Sequence, residues 1–354
     1  MTRTLSFSLG AFAVLIMLLG PMDFTPFGLP WSGLKTYPTY ALTLWLVTAI
    51  AAMGVNLIVG YAGLETLAQA AFLGIGAYTS ALMHRNGVPF AVCFLTAGAV
   101  CFLVGIALGF PALRVQKHYL AFVTLAFSVF VWLVIRNEEW LTGGTESLKN
   151  VRRPIIFGIS LQRPEIYYYW FVAGVTLVLA FLMCWLIRSP WGRAFTALRE
   201  NPIRAESLGI DVRGYTLTAF AIGSAYGGFA GSLLGPLIGI LDPNSFVLSK
   251  SLEYMLIVVA GGSGYFLGPF VGAAVAVLLP EWLRFAQDYY LIIFALLVIL
   301  LMAFFPTGIV GLFERLTTKA RRPHADDKGP TLGGPSLSTP STPAGSTTVA
   351  GAKT

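Results

Sequence analysis

Long apolar stretches separated by short polar segments make up the chain as far as residue 316. About ten of these stretches reach or approach the roughly 20 residues that a helix needs to cross a bilayer. We therefore predict an all-α polytopic membrane protein with about eight to ten transmembrane helices. The predicted spans are Leu5–Gly20, Tyr40–Gly60, Leu64–Met83, Val88–Phe110, Tyr119–Ile135, Tyr167–Ile187, Tyr215–Ile238, Val247–Gly261, Phe266–Leu283 and Tyr290–Phe305.

Glycines interrupt several of the predicted spans. The segments Gly60–Gly63 and Gly261–Gly264 are too rich in glycine to continue a straight helix. Irregular backbone at membrane depth is tolerated only where protein surrounds it or where it lines a watery cavity. The pattern therefore predicts broken or re-entrant helices at both segments and a transport pathway close to them.

The composition excludes an ordinary soluble enzyme. Hydrophobic residues make up 56% of the chain, charged residues only 11%, and the mean hydropathy is +0.75. A soluble domain has about 25% charged residues, and a single core cannot hide this much apolar surface from water. The formal net charge of +7 is typical of cytoplasmic loops in a membrane protein, so we expect membrane lipid and no nucleic acid as a partner.

The segment 188–213, called the arginine-rich segment below, sets the predicted orientation. It lies between two apolar stretches, and the excess of positive charge in such a loop predicts a cytoplasmic position. Counting spans outward then places both chain termini in the cytoplasm and the loop 136–166 outside. The arginines of the segment are Arg188, Arg193, Arg199, Arg204 and Arg213.

The composition also divides the chain into two parts. Residues 1–316 form the predicted membrane domain, which includes a retained first helix at Leu5–Gly20. From Thr317 onward the chain is rich in Pro, Gly, Ser and Thr and nearly free of aromatic and branched apolar residues. Such a stretch cannot bury enough surface to fold, so 317–354 is predicted to be a disordered cytoplasmic tail.

Helix signals punctuate the arginine-rich segment. Ser189-Pro190 has the form of an N-cap residue followed by Pro at the first helical position. The same signal recurs at Asn201-Pro202, and Gly209 is placed to end the second helix. The segment is therefore predicted to form two short helices. They either dock a cytoplasmic partner or rest on the lipid headgroups as amphipathic helices.

Glycine recurs at every fourth position through the predicted span Tyr215–Ile238. Small residues at this spacing form a stripe along which neighbouring helices approach closely. The alternative is a helix that bends or unwinds, because glycine is costly in a helix and Pro236 interrupts it. The glycines predicted to lie at helix contacts are Gly223, Gly227, Gly231 and Gly235, and the repeat continues to Gly239.

The few polar residues inside apolar stretches are the candidates for a substrate pathway. Polar and ionisable groups inside a membrane are costly, so they are functional candidates by default. Glu65 and Gln69 are four residues apart and share a face if one helix runs through both. Alternatively, Glu65 lies near the membrane surface and faces water. The candidate pathway residues are Asn56, Glu65, Gln69, Tyr78 and Thr124.

Motifs of catalysis are missing from the sequence. It has no GxxxxGK[ST] phosphate loop, no HExxH metal-binding motif and no GxSxG nucleophile turn, and its three histidines lie far apart. We therefore predict neither a catalytic site nor a metal site in this chain.

Five segments resemble a known family of membrane proteins. Gly63–Thr79 reads GLETLAQAAFLGIGAYT and resembles the GLxSLGQAAFxGIGAYT segment of the LivM-like permeases of branched-chain amino acid ABC transporters. Here Thr66-Leu67-Ala68 replaces the usual Ser-Leu-Gly. The other resemblances follow in the family's order, and together they cover about residues 37–315. They are Tyr119–Leu125, Leu141–Thr145, Trp191–Gly209 and Val258–Pro269.

The resemblance implies an ABC importer permease of the bacterial inner membrane that carries branched-chain or related amino acids. Such a permease pairs with a second, homologous permease, two cytoplasmic ATPase subunits and a periplasmic binding protein. The ATPases use ATP and Mg²⁺, so this chain is expected to bind no cofactor itself. Importers of urea or short-chain amides have similar permeases, and a secondary transporter is the alternative from another class.

The resemblance also implies that the ATPase subunits bind the arginine-rich segment. On that basis we expect Ala205, Glu206 and Leu208 to be buried against an ATPase. Arg199 and Arg204 are expected at the rim of the contact, where charges contribute mainly to steering. The full set expected at this contact is Arg199, Glu200, Arg204, Ala205, Glu206, Leu208 and Gly209.

Overall fold

The computed structural model of the chain describes residues 36–112, 117–149, 151, 153–156, 159–161, 165–282 and 308–311. The predicted spans Leu5–Gly20 and Tyr290–Phe305 and the predicted tail 317–354 lie outside the described residues. The total number of transmembrane helices and the disorder of the tail therefore stay predictions.

Each apolar stretch predicted as a span within the described residues contains a helix. The described helices are α1 (Thr36–Val55), α2 (Gln69–Arg85), α3 (Phe90–Ala112), α4 (Lys117–Asn137), α5 (Glu139–Thr142), α6 (Glu165–Arg188), α7 (Pro190–Glu200), α8 (Pro202–Ser207), α9 (Val212–Ile238), α10 (Leu248–Gly261) and α11 (Gly268–Trp282). A π-helical turn, Asn56–Tyr61, continues α1, and 3₁₀ turns cover Gly144–Glu146 and Pro243–Phe246. An antiparallel ribbon pairs β1 (Ile155–Ile156) with β2 (Ile159–Ser160).

Five helices among the described residues are long and apolar enough to cross a membrane, so the chain is a multi-pass membrane protein of the all-α class. The helix α2 is shorter than the predicted span because it begins only at Gln69. The helix α10 has 14 residues and is about 21 Å long, less than the roughly 30 Å of the hydrocarbon core. The five candidate spans are Thr39–Tyr61, Phe90–Ala112, Leu120–Asn137, Ile166–Arg188 and Val212–Ile238.

The helix α9 lies at the centre of the described helices and packs against α1, α2 and α3. The spans that include α1 and α9 are 83% and 78% buried inside this chain, whereas those of α3, α4 and α6 are each 28% buried. These three helices expose large apolar side chains such as Leu103, Phe122 and Phe181. An apolar surface of this extent is matched by lipid or by another membrane subunit.

Two glycines of the predicted stripe lie where another backbone touches α9. A Cβ atom on Gly231 would overlap the carbonyl oxygen of Leu73 and lie 2.9 Å from the amide nitrogen of Ala77, both in α2. A Cβ atom on Gly223 would lie 2.7 Å from the carbonyl oxygen of Gly54 in α1. Since Cβ atoms do not approach backbone atoms this closely, α9 can pack against α1 and α2 only with glycine at these positions.

The other two glycines of the stripe differ from each other. A Cβ atom on Gly227 would lie 2.9 Å from Cβ of Phe72, whereas one on Gly235 would lie 3.6 Å from Cγ1 of Val151, an ordinary contact. The expected interruption at Pro236 is absent, because the helix continues through it and ends at Ile238. A proline in the last turn of a helix removes a single backbone hydrogen bond and leaves the preceding turns intact.

The described helices have two distinct ends. At one end, α7 lies beside the π-helical turn. At the opposite end, Leu148 and Leu241 exchange backbone hydrogen bonds of 3.0 and 2.9 Å, and the amide of Val151 donates to the carbonyl of Gly239 at 3.0 Å. The described part of the loop 136–166 thus contacts the end of α9 through Leu148 and Val151. The 24-residue helix α6 connects this loop to the arginine-rich segment, so the two lie at opposite ends of the bundle.

Candidate functional site

The arginine-rich segment forms the two short helices that its sequence predicts. The Oγ atom of Ser189 accepts a hydrogen bond from the amide of Trp191 at 3.2 Å and caps α7. The Oδ1 atom of Asn201 accepts one from the amide of Arg204 at 3.1 Å and caps α8. Both N-cap predictions are therefore confirmed.

The end of α8 follows the glycine signal as well. Gly209 has φ +81, a conformation that favours glycine. Its amide donates to the carbonyl of Glu206 at 2.9 Å, and the amide of Ile210 donates to the carbonyl of Ala205 at 3.1 Å. This pair of bonds is the Schellman motif, which satisfies the last carbonyl groups of a helix. The prediction that Gly209 ends the second helix is confirmed.

Buried side chains attach α7 to the membrane helices. Phe195 and Leu198 are 0% and 2% exposed, and the ring of Tyr215 in α9 packs edge-on against Phe195 and Trp191. A Cβ atom at Gly192 would overlap the carbonyl of Ile187 at the end of α6, so the two helices meet very closely. The arginine-rich segment is thus a compact element joined firmly to α6 and α9.

The outer surface of this segment presents apolar side chains beside charged ones. Ile203 and Leu208 are 77% and 80% exposed, far more than is usual for large apolar residues in a well-packed loop. Arg204 and Glu206 in α8, and Glu200 at the end of α7, are exposed with them. Such a surface is typical of a contact with a protein partner or with lipid headgroups.

One expectation about this contact needs correction. Ala205 is only 2% exposed because residues of its own chain already cover it, so its side chain has no free surface for an ATPase. Arg199 is exposed, as expected of a rim residue, and its Nη1 atom also donates a hydrogen bond to the carbonyl oxygen of Gly60 in the π-helical turn. Leu208 and Glu206 are exposed in this chain, and their burial against an ATPase stays a prediction.

Both glycine-rich breaks of the sequence meet at Arg199. A Cβ atom on Gly63 would lie 3.0 Å from Cγ of Arg199, and one on Gly264 would overlap its Nη1 atom. Gly63 and Gly264 have φ +67 and +85. We call the group of Asn56, Gly60, Gly63, Arg199 and Gly264 the arginine junction.

Asn56 belongs to this junction through both ends of its side-chain amide. Its side chain is 3% exposed, and its Nδ2 atom donates to the carbonyl of Tyr265 at 2.9 Å. Its Oδ1 atom accepts a hydrogen bond from the amide of Gly264, also at 2.9 Å. Asn56 therefore fastens the loop between α10 and α11 to the π-helical turn.

Glu65 lies outside any helix, and the prediction that it shares a helix face with Gln69 is wrong. It is exposed in the non-helical stretch 63–68, which matches the alternative that it faces water. Hydroxyl groups of other helices bond amides in and next to this stretch. Thr124 Oγ1 accepts a hydrogen bond from the amide of Leu67 at 3.0 Å. Ser251 Oγ accepts from the amide of Ala70 at 2.9 Å. These bonds satisfy amides at the start of α2 that have no partner within the helix.

The remaining pathway candidates lie apart from one another. Gln69 is 1% exposed, and its Nε2 atom donates to the carbonyl of Ala51 in α1 at 2.9 Å. Its Oε1 atom has no hydrogen-bond partner among the described residues. The hydroxyl of Tyr78 donates to the carbonyl of Leu241 at 3.1 Å, at the opposite end of the bundle. The five candidates therefore do not form one site, whereas Asn56 and Arg199 do meet.

Comparison with known proteins identifies the family. Residues 37–302 match the family described as the branched-chain amino acid transport system permease component. The chain belongs to this family. The predicted resemblance is confirmed, and the protein is a permease subunit of an ABC importer, a transport component and not an enzyme.

Several curated relatives resemble this permease over most of its length. It is 34% identical over 291 residues to the high-affinity branched-chain amino acid transport permease LivM of Escherichia coli K12, covering 76% of this chain and 68% of the relative. It is 27% identical over 293 residues to the high-affinity branched-chain amino acid transport permease BraD of Pseudomonas aeruginosa. This match covers 76% of this chain and 93% of the relative. The autoinducer 2 import permease LsrC of Escherichia coli O9:H4 is 25% identical over 171 residues, 48% and 46% of the two chains. No solved structure matches the permease.

Sequence reasoning missed several residues that shape the permease. Ser251 in α10 bonds the start of α2, and Gly76 in α2 lies where a Cβ atom would overlap the carbonyl of Gly228 in α9. The spacing of Gly76 and Gly228 gives no sign that they face each other. A small residue signals a close contact only when its partner is also known, and here the partner is distant in sequence.

We predict that Asn56→Ala lowers the free energy of unfolding of the permease by about 2 kcal/mol, since two buried hydrogen bonds are lost. The KM for uptake is expected to stay unchanged, because both polar atoms of the buried Asn56 side chain bond backbone groups of this chain. Thermal unfolding in detergent and uptake kinetics measure the two effects. The exposed Asn137 provides a control, and Asn137→Ala is expected to change stability by less than about 0.5 kcal/mol. A raised KM without loss of stability would assign Asn56 to the substrate pathway.

Proposed function

We propose that this permease carries branched-chain or related amino acids through the membrane in an ATP-driven importer. The observation that carries the proposal is the match of residues 37–302 to the branched-chain amino acid transport family. The names of LivM and BraD support the same substrate class, since both relatives carry branched-chain amino acid transport in their descriptions.

The energy for transport comes from two ATPase subunits that bind the arginine-rich segment. Ile203 and Leu208 supply exposed apolar contacts, and Arg204 and Glu206 supply charges around them. An interface with apolar anchors inside a polar rim is typical of protein partners. ATP and Mg²⁺ are bound by those subunits, because the sequence of the permease has no phosphate loop.

The remaining partners contact the membrane-facing helices and the periplasmic end of the permease. A second, homologous permease covers part of the exposed apolar surface of α3, α4 and α6. A periplasmic binding protein delivers substrate at the end where the loop 136–166 lies. The permease sits in the bacterial inner membrane with its arginine-rich segment and both termini in the cytoplasm, as the distribution of arginine predicts.

The cargo differs among relatives of this permease. LsrC, a relative with 25% identity, is named for import of autoinducer 2. Urea or a short-chain amide is the alternative cargo that the sequence resemblance leaves open. A secondary transporter is less well supported, because Glu65, the ionisable candidate inside the apolar stretches, is exposed next to a helix break.

Uptake by the complete complex in proteoliposomes tests the proposal. The permease, its sister permease, the two ATPases and the binding protein are reconstituted with ATP inside the vesicles, and accumulation of labelled leucine is measured. We expect uptake that requires ATP, both ATPases and the binding protein, and that excess isoleucine or valine suppresses. Suppression by urea or acetamide alone would favour the amide alternative, and uptake driven by an ion gradient without ATPases would overturn the proposal.

A further inference from the structure

We propose that Arg199 is a positioning residue that carries movement of the arginine-rich segment to the end of α1. The inference rests on the proposed function, because it requires that ATPase subunits move this segment. Arg199 belongs to α7, whereas its hydrogen-bond acceptor, Gly60, lies 139 residues earlier in the chain. The bond therefore joins the cytoplasmic element directly to a membrane helix.

The acceptor is a carbonyl that its own helix leaves unbonded. The π-helical turn ends at Tyr61, so the carbonyl of Gly60 has no following turn of the same helix to bond. Nη1 of Arg199 supplies a donor to it. A guanidinium at the C-terminal end of a helix also interacts favourably with the partial negative charge there. Arg199 thus holds the end of α1 as a cap supplied from another element.

Glycine makes room for the arginine on both sides. Gly63 packs against the aliphatic part of Arg199, with 3.0 Å between Cγ and the site that a Cβ atom would take. A Cβ atom on Gly264 would occupy the place of the guanidinium and lie 3.1 Å from the carbonyl oxygen of Gly60. The two glycine-rich breaks therefore pack around the side chain of Arg199.

The junction also includes the loop between α10 and α11. Asn56 in the π-helical turn bonds the amide of Gly264 and the carbonyl of Tyr265, both at 2.9 Å. A displacement of α7 that moves Gly60 therefore reaches α1, α10 and α11 through contiguous bonds. A chain of packed and hydrogen-bonded groups is the physical requirement for transmitting such a movement.

The docking surface and the junction are separate parts of the segment. Ile203 and Leu208 are exposed on and just after α8, whereas the Nη1 atom of Arg199 is directed to Gly60. Removing the guanidinium therefore leaves Ile203 and Leu208 of the proposed ATPase contact unchanged while it breaks the connection to α1. The expected consequence is a complex that hydrolyses ATP but moves little substrate.

The direct test is Arg199→Gln in the fully assembled transporter. Uptake and ATP hydrolysis are measured in the same proteoliposomes, and the result is expressed as substrate moved per ATP. We expect this ratio to fall about tenfold, the scale of one charge-assisted hydrogen bond, while the ATPases still co-purify. Arg199→Lys keeps a positive donor and is expected to recover part of the ratio.

A pair of glycine variants tests the same junction from the other side. Gly264→Ala places a methyl group where the guanidinium lies and is expected to lower the ratio as Arg199→Gln does. Gly87→Ala is the matched control: Gly87 has φ +84, close to the +85 of Gly264, but no atom lies within 4 Å of its Cβ site. Both variants place alanine at nearly the same positive φ, and only Gly264→Ala displaces Arg199. The double variant Gly264→Ala with Arg199→Gln is expected to move about as much substrate per ATP as either single variant.

Each outcome decides the inference. An unchanged ratio in Arg199→Gln overturns it, and so does loss of the ATPases, which would make Arg199 a docking residue. Equal ratios in Gly264→Ala and Gly87→Ala also overturn it. The proposed function fails separately, if the unsubstituted complex shows no ATP-dependent uptake.

Discussion

Gly231→Ala is expected to destabilise the permease by about 3 kcal/mol and to remove most of the correctly assembled protein. The added Cβ atom would overlap the carbonyl oxygen of Leu73 and lie 2.9 Å from the amide nitrogen of Ala77. These are backbone atoms of α2, so no side-chain rotation relieves the overlap and the two helices must separate. The loss exceeds the roughly 1 kcal/mol by which alanine favours a helix over glycine. Thermal unfolding in detergent and the yield of monodisperse protein measure the effect.

Gly235→Ala is the matched control on the same stripe. Gly235 lies one turn further along α9, and its added Cβ atom would have Val151 Cγ1 at 3.6 Å as its nearest neighbour. We expect stability equal to or slightly above that of the unsubstituted permease. Similar behaviour of both variants would show that α9 does not depend on close contact with α2. Gly231→Leu, with a larger side chain, is expected to be more severe than Gly231→Ala.

Ile203→Glu is expected to release the ATPase subunits from the permease and to abolish uptake. Ile203 is 77% exposed on α8, so a carboxylate there is tolerated by the fold, but it would be desolvated against an apolar surface of a partner. Loss of a central apolar anchor costs about 2 kcal/mol or more, which weakens binding roughly thirtyfold. Co-purification of the ATPases with the tagged permease measures binding, and membrane insertion is checked by yield.

Ile240→Glu is the control for this prediction. Ile240 is 50% exposed and lies at the opposite end of the bundle, near the end of α9. We expect full retention of the ATPases in this variant, and partial loss in Leu208→Glu. If Ile203→Glu keeps its ATPases, the exposed residues of α8 contact lipid headgroups, and the proposed docking surface is wrong.

Signals between near neighbours in the sequence predicted their structure well. Ser189 and Asn201 cap helices by accepting bonds from amides two or three residues further along the chain. At the end of α8, the amide of Gly209 bonds the carbonyl of Glu206 and the amide of Ile210 bonds the carbonyl of Ala205. Such contacts depend on residues that are always close in space, so their spacing is sufficient evidence. The apolar stretches likewise predicted the helices that pack around α9, because spanning length and composition are local properties.

The pathway residues could not be placed in the same way. The sequence spacing of Glu65 and Gln69 predicts a shared helix face, but the residues before Gln69 are non-helical, and Thr124 of α4 accepts a hydrogen bond from the amide of Leu67 there. Ser251 of α10 accepts one from the amide of Ala70 in the first turn of α2, 181 residues away in sequence. No local pattern reveals such distant partners, and therefore the start of α2 was misplaced.

Composition, short-range spacing and ordered motifs were sufficient to predict the membrane class, the apolar helices, the caps of the arginine-rich segment and the family. Contacts between distant segments were needed to show that Ala205 is covered by its own chain and that Arg199 bonds Gly60. They were also needed to show that Asn56 bonds a loop 208 and 209 residues away. The physical reason is the same in each case: the direction in which a polar or small side chain finds its partner depends on helices that are brought together only by folding.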